Sequence, residues 1–226
     1  MSLKNVDIGK ICDDLVKSVE AIDKILEVKD SVREELIRIT RDVTRLSGDA
    51  ITYIHLGEYD KAYELLKKVE ELVRHVMQLT EEHPDLRYSG LVNNALSEYV
   101  EAKLLYAIVV EKRFMRYDEF SIHYIPYLLG LCDLIGELKR LAIDAMRRDD
   151  IETAESCLKI MEAAYNSLRR LDYAEALTPG LRHKVDIMRR IVEDLKMFLL
   201  DIAKRNVLVD ALSRVEKKLS KEYHES

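Results

Sequence analysis

The chain has 226 residues, enough for one large domain or two small ones, and only seven glycines and three prolines interrupt it. This scarcity of turn residues argues against a β-sandwich or barrel, and the glycine spacing excludes a Gly-rich nucleotide-binding loop. The net charge of −6 excludes a globally basic nucleic-acid binder, whereas 35% charged and 48% hydrophobic residues are typical of amphipathic helices and predict an all-α fold.

The first half of the chain is predicted to form four helices. Apolar residues at helical spacing predict a first helix over residues 6–28. A capping box at Ser31 predicts the start of a second helix, which Gly57 ends. A third helix is predicted over Tyr59–Leu79 and a fourth over about residues 87–113.

The second half is predicted to form three more helices. A fifth helix is predicted over residues 126–148, with a proline in its first turn. A sixth is predicted over residues 149–171 and begins at an aspartate pair. A seventh is predicted over residues 178–205 and begins with a Thr-Pro cap. Residues 207–226 are charged and are predicted to form a tail that is either helical or frayed. About seven long helices joined by short loops predict one antiparallel bundle that spans residues 1–226.

The cysteines and the hydropathy pattern indicate where the protein resides. Cys12, Cys132 and Cys157 are odd in number and far apart, which is typical of reduced thiols in a cytosol. The N-terminus has no apolar secretion segment, and the longest stretch without charged residues, 120–132, is too short to span a bilayer. We therefore expect a soluble, cytoplasmic protein with no membrane partner.

Two pairs of carboxylates are the strongest candidates for a functional site. Glu98 and Glu101 are spaced i, i+3 on the fourth predicted helix, and Asp133 and Glu137 are spaced i, i+4 on the fifth, each pair in an apolar setting. If the two helices pack antiparallel, all four carboxylates lie at similar heights. Such a cluster predicts a Mg²⁺ or Mn²⁺ site that could hold two ions and hydrolyse a phosphodiester. The alternative is that both pairs lie on solvated helix faces.

Other residue types give weaker signals. A ferritin-like di-iron site requires Glu-x-x-His, and no glutamate here has a histidine three residues later. The six histidines are scattered, so each is predicted to be an ordinary surface or core residue. Basic clusters concentrate after residue 110, and Arg140 follows Glu137 by about one turn. These clusters suggest phosphate binding, although solvated helix faces explain them equally well.

The two carboxylate-bearing segments, residues 96–102 (LSEYVEA) and 127–138 (YLLGLCDLIGEL), resemble the translin/TRAX family, and its TRAX branch in particular. The similarity extends over about residues 30–206. It implies a seven-helix fold, a hollow octamer and the metal-dependent endoribonuclease site of TRAX. In the family the catalytic, metal-binding carboxylates lie in these two motifs, so the resemblance assigns that role to Glu98, Glu101, Asp133 and Glu137.

The chain departs from the family where translin has a basic, histidine-containing stretch. The matching residues 86–94 keep Arg87 and otherwise offer neutral polar side chains. Asn94 lies one turn before Glu98 on the same helix face, where it could bind a phosphate or serve only as a solvated amide. We expect Arg87, Asn94 and Arg140 to bind RNA.

Together these features predict a Mg²⁺- or Mn²⁺-dependent endoribonuclease inside a closed homo-oligomer, most simply an octamer. The substrate is expected to be single-stranded RNA or a short RNA duplex, cleaved to 5′-phosphate and 3′-hydroxyl ends. Whether a second, translin-like subunit takes part is left open. The alternatives are a non-catalytic octamer of translin type that binds single-stranded RNA or DNA, and a helical scaffold without a nucleic-acid partner.

Overall fold

The structure is a computed structural model that describes residues 7–224, apart from the side chains of residues 210 and 218–224. Over residues 7–224 it has no β-strand, so the predicted all-α fold is confirmed. Its seven α-helices are α1 (Ile8–Leu56), α2 (Tyr59–Leu79), α3 (Pro84–Arg87), α4 (Gly90–Tyr106), α5 (Tyr124–Met146), α6 (Ile151–Leu168) and α7 (Leu181–His224). None of these described helices combines the length and apolar character needed to cross a membrane.

The first two predicted helices form one helix, α1, of 49 residues. The predicted break at Ser31 is wrong, because no glycine or proline lies between Gly9 and Gly48 and nothing stops the helix from continuing. The ends of α1 follow local rules. The Asp7 side chain accepts a hydrogen bond from the Lys10 amide at 3.0 Å, and Gly57 ends the helix in the left-handed conformation with φ of 74°.

The fourth predicted helix, residues 87–113, is shorter in the structure. A single turn, α3, precedes it, and α4 begins only at Gly90, where the Ser89 hydroxyl accepts a hydrogen bond from the Val92 amide at 3.4 Å. After Tyr106 the chain widens into a π-helical turn, Ala107–Glu111. By contrast, Pro126 lies in the first turn of α5 as predicted.

The predicted cap of α6 is confirmed, whereas the predicted cap of α7 is wrong. Asp150 caps α6 as predicted, since its carboxylate accepts a hydrogen bond from the Thr153 amide at 3.0 Å. The predicted cap of α7 at Thr178 is wrong, because Gly180 has φ of 77°, which helical backbone cannot adopt, and α7 begins at Leu181. From there α7 continues as a helix through His224.

The core lies between packed helix pairs, with α4 and α5 in the middle of the bundle. Helix α1 packs on α2 and α4, α4 packs on α5, and α5 packs on α6 and α7. Beyond this core, residues 8–28 of α1 form an N-terminal arm whose side chains are all exposed. Most described side chains of α7 beyond Leu199 are also exposed. The bundle therefore ends in helical extensions that do not pack on it.

Candidate functional site

A glycine allows the two carboxylate-bearing helices to approach each other closely. A Cβ atom at Gly130 of α5 would lie 2.5 Å from the Ser97 carbonyl oxygen and 2.8 Å from Val100 Cβ on α4. Real Cβ atoms do not come this close to other atoms, so only glycine fits here. Ser97 and Val100 are next to Glu98 and Glu101 in the sequence, and the contact therefore sets the spacing between the two pairs of acids.

The four acids lie close enough to change one another's ionisation, and we call Glu98, Glu101, Asp133 and Glu137 the carboxylate cluster. Glu101 is only 8% exposed. Burial, followed by the negative charges of Asp133, Glu98 and Glu137, raises its pKa to about 8. The pKa of the half-buried Glu98 is raised by burial and by the charges of Asp133 and Glu137. The structure therefore brings the four predicted site residues together.

A lysine from the first turn of α7 faces the cluster. The Lys184 ammonium donates hydrogen bonds to both carboxylate oxygens of Asp133. Both side chains are about one-third exposed. The positive charge of Lys184 also lowers the pKa values of Glu98 and Glu101, opposing the effects of burial and of the other acids. Lys184 therefore offsets part of the negative charge of Asp133, Glu98 and Glu101.

The fourth acid, Glu137, contacts two side chains outside the cluster. His55, at the end of α1, places Nε2 2.6 Å from Glu137 Oε2, and Arg140 places Nη1 3.7 Å from the same oxygen. The hydrogen bond from His55 is the main reason that the pKa of Glu137 is lowered despite burial. The His55 side chain is 4% exposed, and its Nδ1 atom has no hydrogen-bond partner among the described residues. Glu137 is therefore held ionised and fixed in position.

Sequence reasoning did not identify His55 or Lys184 as site residues. His55 is 82 positions from its partner Glu137, and Lys184 is 51 from Asp133, so neither pair has a local spacing signal. One signal for His55 was available. It follows buried Ile54 and lies one turn after buried Ile51, which places it at the edge of the packing face of α1.

The three residues predicted to bind RNA lie in different surroundings. Arg140 is exposed at the edge of the carboxylate cluster, beside Glu137. Asn94 is exposed one turn before Glu98 and lines a cavity of about 410 Å³ between α1 and α4, together with Arg41. Arg87 is partly buried at the end of α3. Of the three, Arg140 forms an ion pair with the cluster.

The cluster suits a hard divalent cation in its chemistry. Its donors are carboxylate oxygens, the ligands that Mg²⁺ and Mn²⁺ prefer. The pKa of Glu101 is raised first by burial and then by the neighbouring negative charges, and a cation would offset those charges. In the described part of the chain, however, no three histidine, cysteine, aspartate or glutamate side chains converge on a common metal position. Both Asp133 oxygens accept from Lys184, and Glu137 accepts from His55. Metal binding at this cluster therefore requires side-chain movement.

The chain matches one known protein family and is similar to known proteins of other organisms. Residues 31–206 match the model of the Translin family. The chain is 33% identical over 195 residues to an uncharacterized protein of Methanocaldococcus jannaschii, with 86% of each protein covered. It is 22% identical over 179 residues to the translin-associated protein X homolog of Schizosaccharomyces pombe, covering 71% of this chain and 76% of that protein.

Solved structures of similar fold include two of AfC3PO. The one described as a complex with duplex RNA has a TM-score of 0.77 and 29% identity, covering 84% of this chain and 98% of that chain. The other, AfC3PO alone, has a TM-score of 0.76 and 29% identity, covering 84% and 99%. A structure of apo-NeC3PO, with a TM-score of 0.71 and 22% identity over 88% of this chain and 98% of that chain, shares the fold.

Proposed function

The chain belongs to the Translin family, and from that premise we propose that it is a Mg²⁺- or Mn²⁺-dependent endoribonuclease acting inside a closed homo-oligomer. The family match also confirms the resemblance seen in the two carboxylate motifs. The observation that carries the nuclease proposal is the carboxylate cluster itself. Four acids of α4 and α5 lie close enough to influence one another, and burial together with the neighbouring negative charges raises the pKa of Glu101 to about 8.

RNA is the proposed substrate because of one relative. AfC3PO, 29% identical to this chain, has been solved as a complex with duplex RNA. Short RNA, single-stranded or duplex, would have to approach an acidic chain, so its phosphates need local cations. Arg140 at the edge of the cluster is the first candidate, with Asn94 and Arg87 as further contacts on α4 and α3.

Each acid of the cluster has a proposed role. Asp133, Glu137 and Glu98 would hold the divalent ion, which supplies charge stabilisation to the phosphate during attack. Glu101 would accept the proton of the attacking water in its ionised form, which a bound cation favours by opposing the burial and the neighbouring negative charges that raise its pKa to about 8. The water oxygen would bond to phosphorus while the bond between phosphorus and the 3′-oxygen breaks. The departing 3′-oxygen takes a proton from solvent, which leaves a 5′-phosphate and a 3′-hydroxyl. His55 orients Glu137 through its 2.6 Å hydrogen bond.

The N-terminal arm supports the proposed homo-oligomer. Its apolar residues follow one another at alternating spacings of four and three, which places them in one stripe along the helix. Such a stripe, here called the apolar seam, is typical of a helix that packs against other helices. This seam consists of Ile8, Cys12, Leu15, Val19, Ile22 and Leu26. All six are exposed, the five aliphatic ones by 49–62%, so nothing in the described chain covers them. We propose that further copies cover the seam in an octamer, and a mixed assembly with a translin-like subunit is the alternative. The native mass of the purified complex gives the number of subunits, and mass spectrometry of the denatured complex shows whether a second type of chain is present.

The direct test is RNA cleavage with and without metal. Wild-type protein is incubated with short labelled single-stranded and duplex RNAs in Mn²⁺ or in EDTA, beside Asp133→Asn and Glu137→Gln. Glu155→Gln, an exposed acid on α6, is the matched control. We expect cleavage only with Mn²⁺, its loss in both cluster variants, and retention of RNA by all of the proteins.

Each other outcome has a defined meaning. Cleavage by Asp133→Asn or Glu137→Gln at the wild-type rate would show that the cluster is not the active site. Salt-sensitive RNA binding without any cleavage would favour the non-catalytic binder. Absence of RNA binding would favour a helical scaffold.

A further inference from the structure

The cation already present at the carboxylate cluster is a lysine side chain. We propose that Lys184 is the resident counter-cation of the cluster: a divalent metal displaces it from Asp133, and the freed ammonium then binds a phosphate of the RNA. This inference rests on the proposed function and deepens it, because it assigns a role to a residue that neither the sequence motifs nor the carboxylates themselves indicate.

A metal ion and Lys184 would compete for the same oxygens of Asp133. Both oxygens of Asp133 accept hydrogen bonds from Lys184. A divalent ion that takes Asp133 as a ligand needs at least one of these oxygens, at a distance that leaves no room for an ammonium on the same lone pairs. The two cations would also repel each other. Metal and Lys184 would therefore compete for Asp133.

The charge of Lys184 reaches three of the four acids of the cluster. Lys184 acts on more than Asp133, because its charge also lowers the pKa values of Glu98 and Glu101. Glu137 is held separately by His55 and Arg140. Lys184 is thus the cation that the other three acids share, and its removal leaves them with greater mutual repulsion and greater affinity for a divalent ion.

Once released from Asp133, the Lys184 ammonium has room to move. Lys184 is about one-third exposed and lies on the first turn of α7, so its long side chain can swing without moving the helix. A cavity of about 270 Å³ adjoins the ion pair and is lined by Asp133, Lys184 and the neighbouring His183. The other residues that line this cavity are mainly apolar, so a phosphodiester that entered it beside Asp133 would find its positive charge in Lys184.

The experiment measures Mn²⁺ binding to the full-length protein without RNA, by titration with detection of free Mn²⁺ by electron paramagnetic resonance. The variants are Lys184→Met and Lys184→Arg, with Asp133→Asn to identify the site. Lys139→Met is the matched control, because Lys139 is also 31% exposed and pairs with Asp194 across the same two helices. Circular dichroism checks that each variant folds, and Lys184→Gln replaces the methionine variant if that one does not.

We expect Lys184→Met to bind Mn²⁺ about tenfold more tightly than the wild type, as loss of a competing ion pair predicts. Lys184→Arg, which keeps the charge, and Lys139→Met should show no gain. At saturating Mn²⁺, Lys184→Met should bind a phosphorothioate RNA several-fold more weakly than the wild type, with a smaller salt dependence.

Two results would overturn the inference while leaving the metal site standing. One is equal or weaker Mn²⁺ affinity in Lys184→Met; the other is unchanged RNA affinity in that variant at saturating Mn²⁺. If neither the wild type nor Lys184→Met binds Mn²⁺, or if Asp133→Asn binds it as the wild type does, the proposed metal-dependent site fails together with the inference.

Discussion

Replacing Glu101 with glutamine is expected to stabilise the metal-free protein, and the gain should grow with pH. Glu101 is 8% exposed and its pKa is raised from 4.5 to about 8 in the folded chain. An acid whose folded pKa is raised favours its protonated form in the folded state. Its contribution therefore destabilises the fold progressively as pH rises from 4.5 to about 8. Glutamine has a similar shape and carries no charge, so it removes this dependence.

The size of the effect follows from linkage. Each pKa unit corresponds to about 1.4 kcal/mol, so at pH 7 the folded wild type has lost about 3 kcal/mol relative to its stability below pH 4.5. Glu101→Gln should gain up to that amount at pH 7 and almost nothing at pH 4.5. For a chain of this size a gain of about 3 kcal/mol raises Tm by roughly 6–12 °C.

The assay is thermal unfolding followed by circular dichroism at pH 5, 6, 7 and 8. Each sample contains EDTA and has the same ionic strength and protein concentration, since assembly makes Tm depend on concentration. Glu155→Gln removes an exposed acid on α6 and should change stability by less than about 0.5 kcal/mol at every pH. Added Mn²⁺ should stabilise the wild type and reduce the advantage of Glu101→Gln.

The result that would refute this reasoning is a constant difference between Glu101→Gln and the wild type from pH 5 to pH 8. It would mean that neither burial nor the neighbouring acids penalise the Glu101 carboxylate. A variant less stable than the wild type at pH 8 would indicate instead that the ionised carboxylate stabilises the fold.

Three further predictions concern helix packing, assembly and RNA binding. Gly130→Ala should lower the free energy of unfolding, measured by chemical denaturation, by about 1–3 kcal/mol, because the added Cβ would clash with α4. Gly136→Ala is the control and should be neutral or stabilising, because no atom lies within 4 Å of its added Cβ. Equal effects of the two substitutions would contradict the close approach of α5 to α4 at Gly130. Leu15→Glu on the apolar seam should reduce the mass measured by light scattering, and Lys17→Glu on the polar face should not; an unchanged mass in both would exclude the arm from the interface. Arg140→Glu should weaken RNA binding and lower its salt slope by about one, and an unchanged slope would place the RNA elsewhere.

Much of the secondary structure could be predicted from the sequence because helix formation depends on neighbouring residues. The caps at Gly57 and Asp150 and the first-turn Pro126 occur where the sequence predicted them. The wrong break at Ser31 has a local cause as well. A capping box indicates that a helix can start there, but no glycine or proline lies between Gly9 and Ser31, so the preceding helix has no reason to end.

The pairing of acids within each helix could be predicted from the sequence, because it also depends only on neighbouring residues. Helical periodicity alone places Glu98 with Glu101, and Asp133 with Glu137, because each pair is one turn apart on one helix. That the two pairs meet depends on the packing of α4 on α5, which the sequence indicated through apolar surroundings and family resemblance. The contact at Gly130 that permits it is between residues far apart in sequence.

Only the tertiary structure decided the ionisation of the site and the partners of its acids. His55 reaches Glu137 and Lys184 reaches Asp133 from helices 82 and 51 residues away in sequence, distances over which spacing carries no information. The raised pKa of Glu101 likewise arises from burial and from charges on another helix. Electrostatic energies depend on distances through space and on exclusion of water, so they are determined when the helices pack.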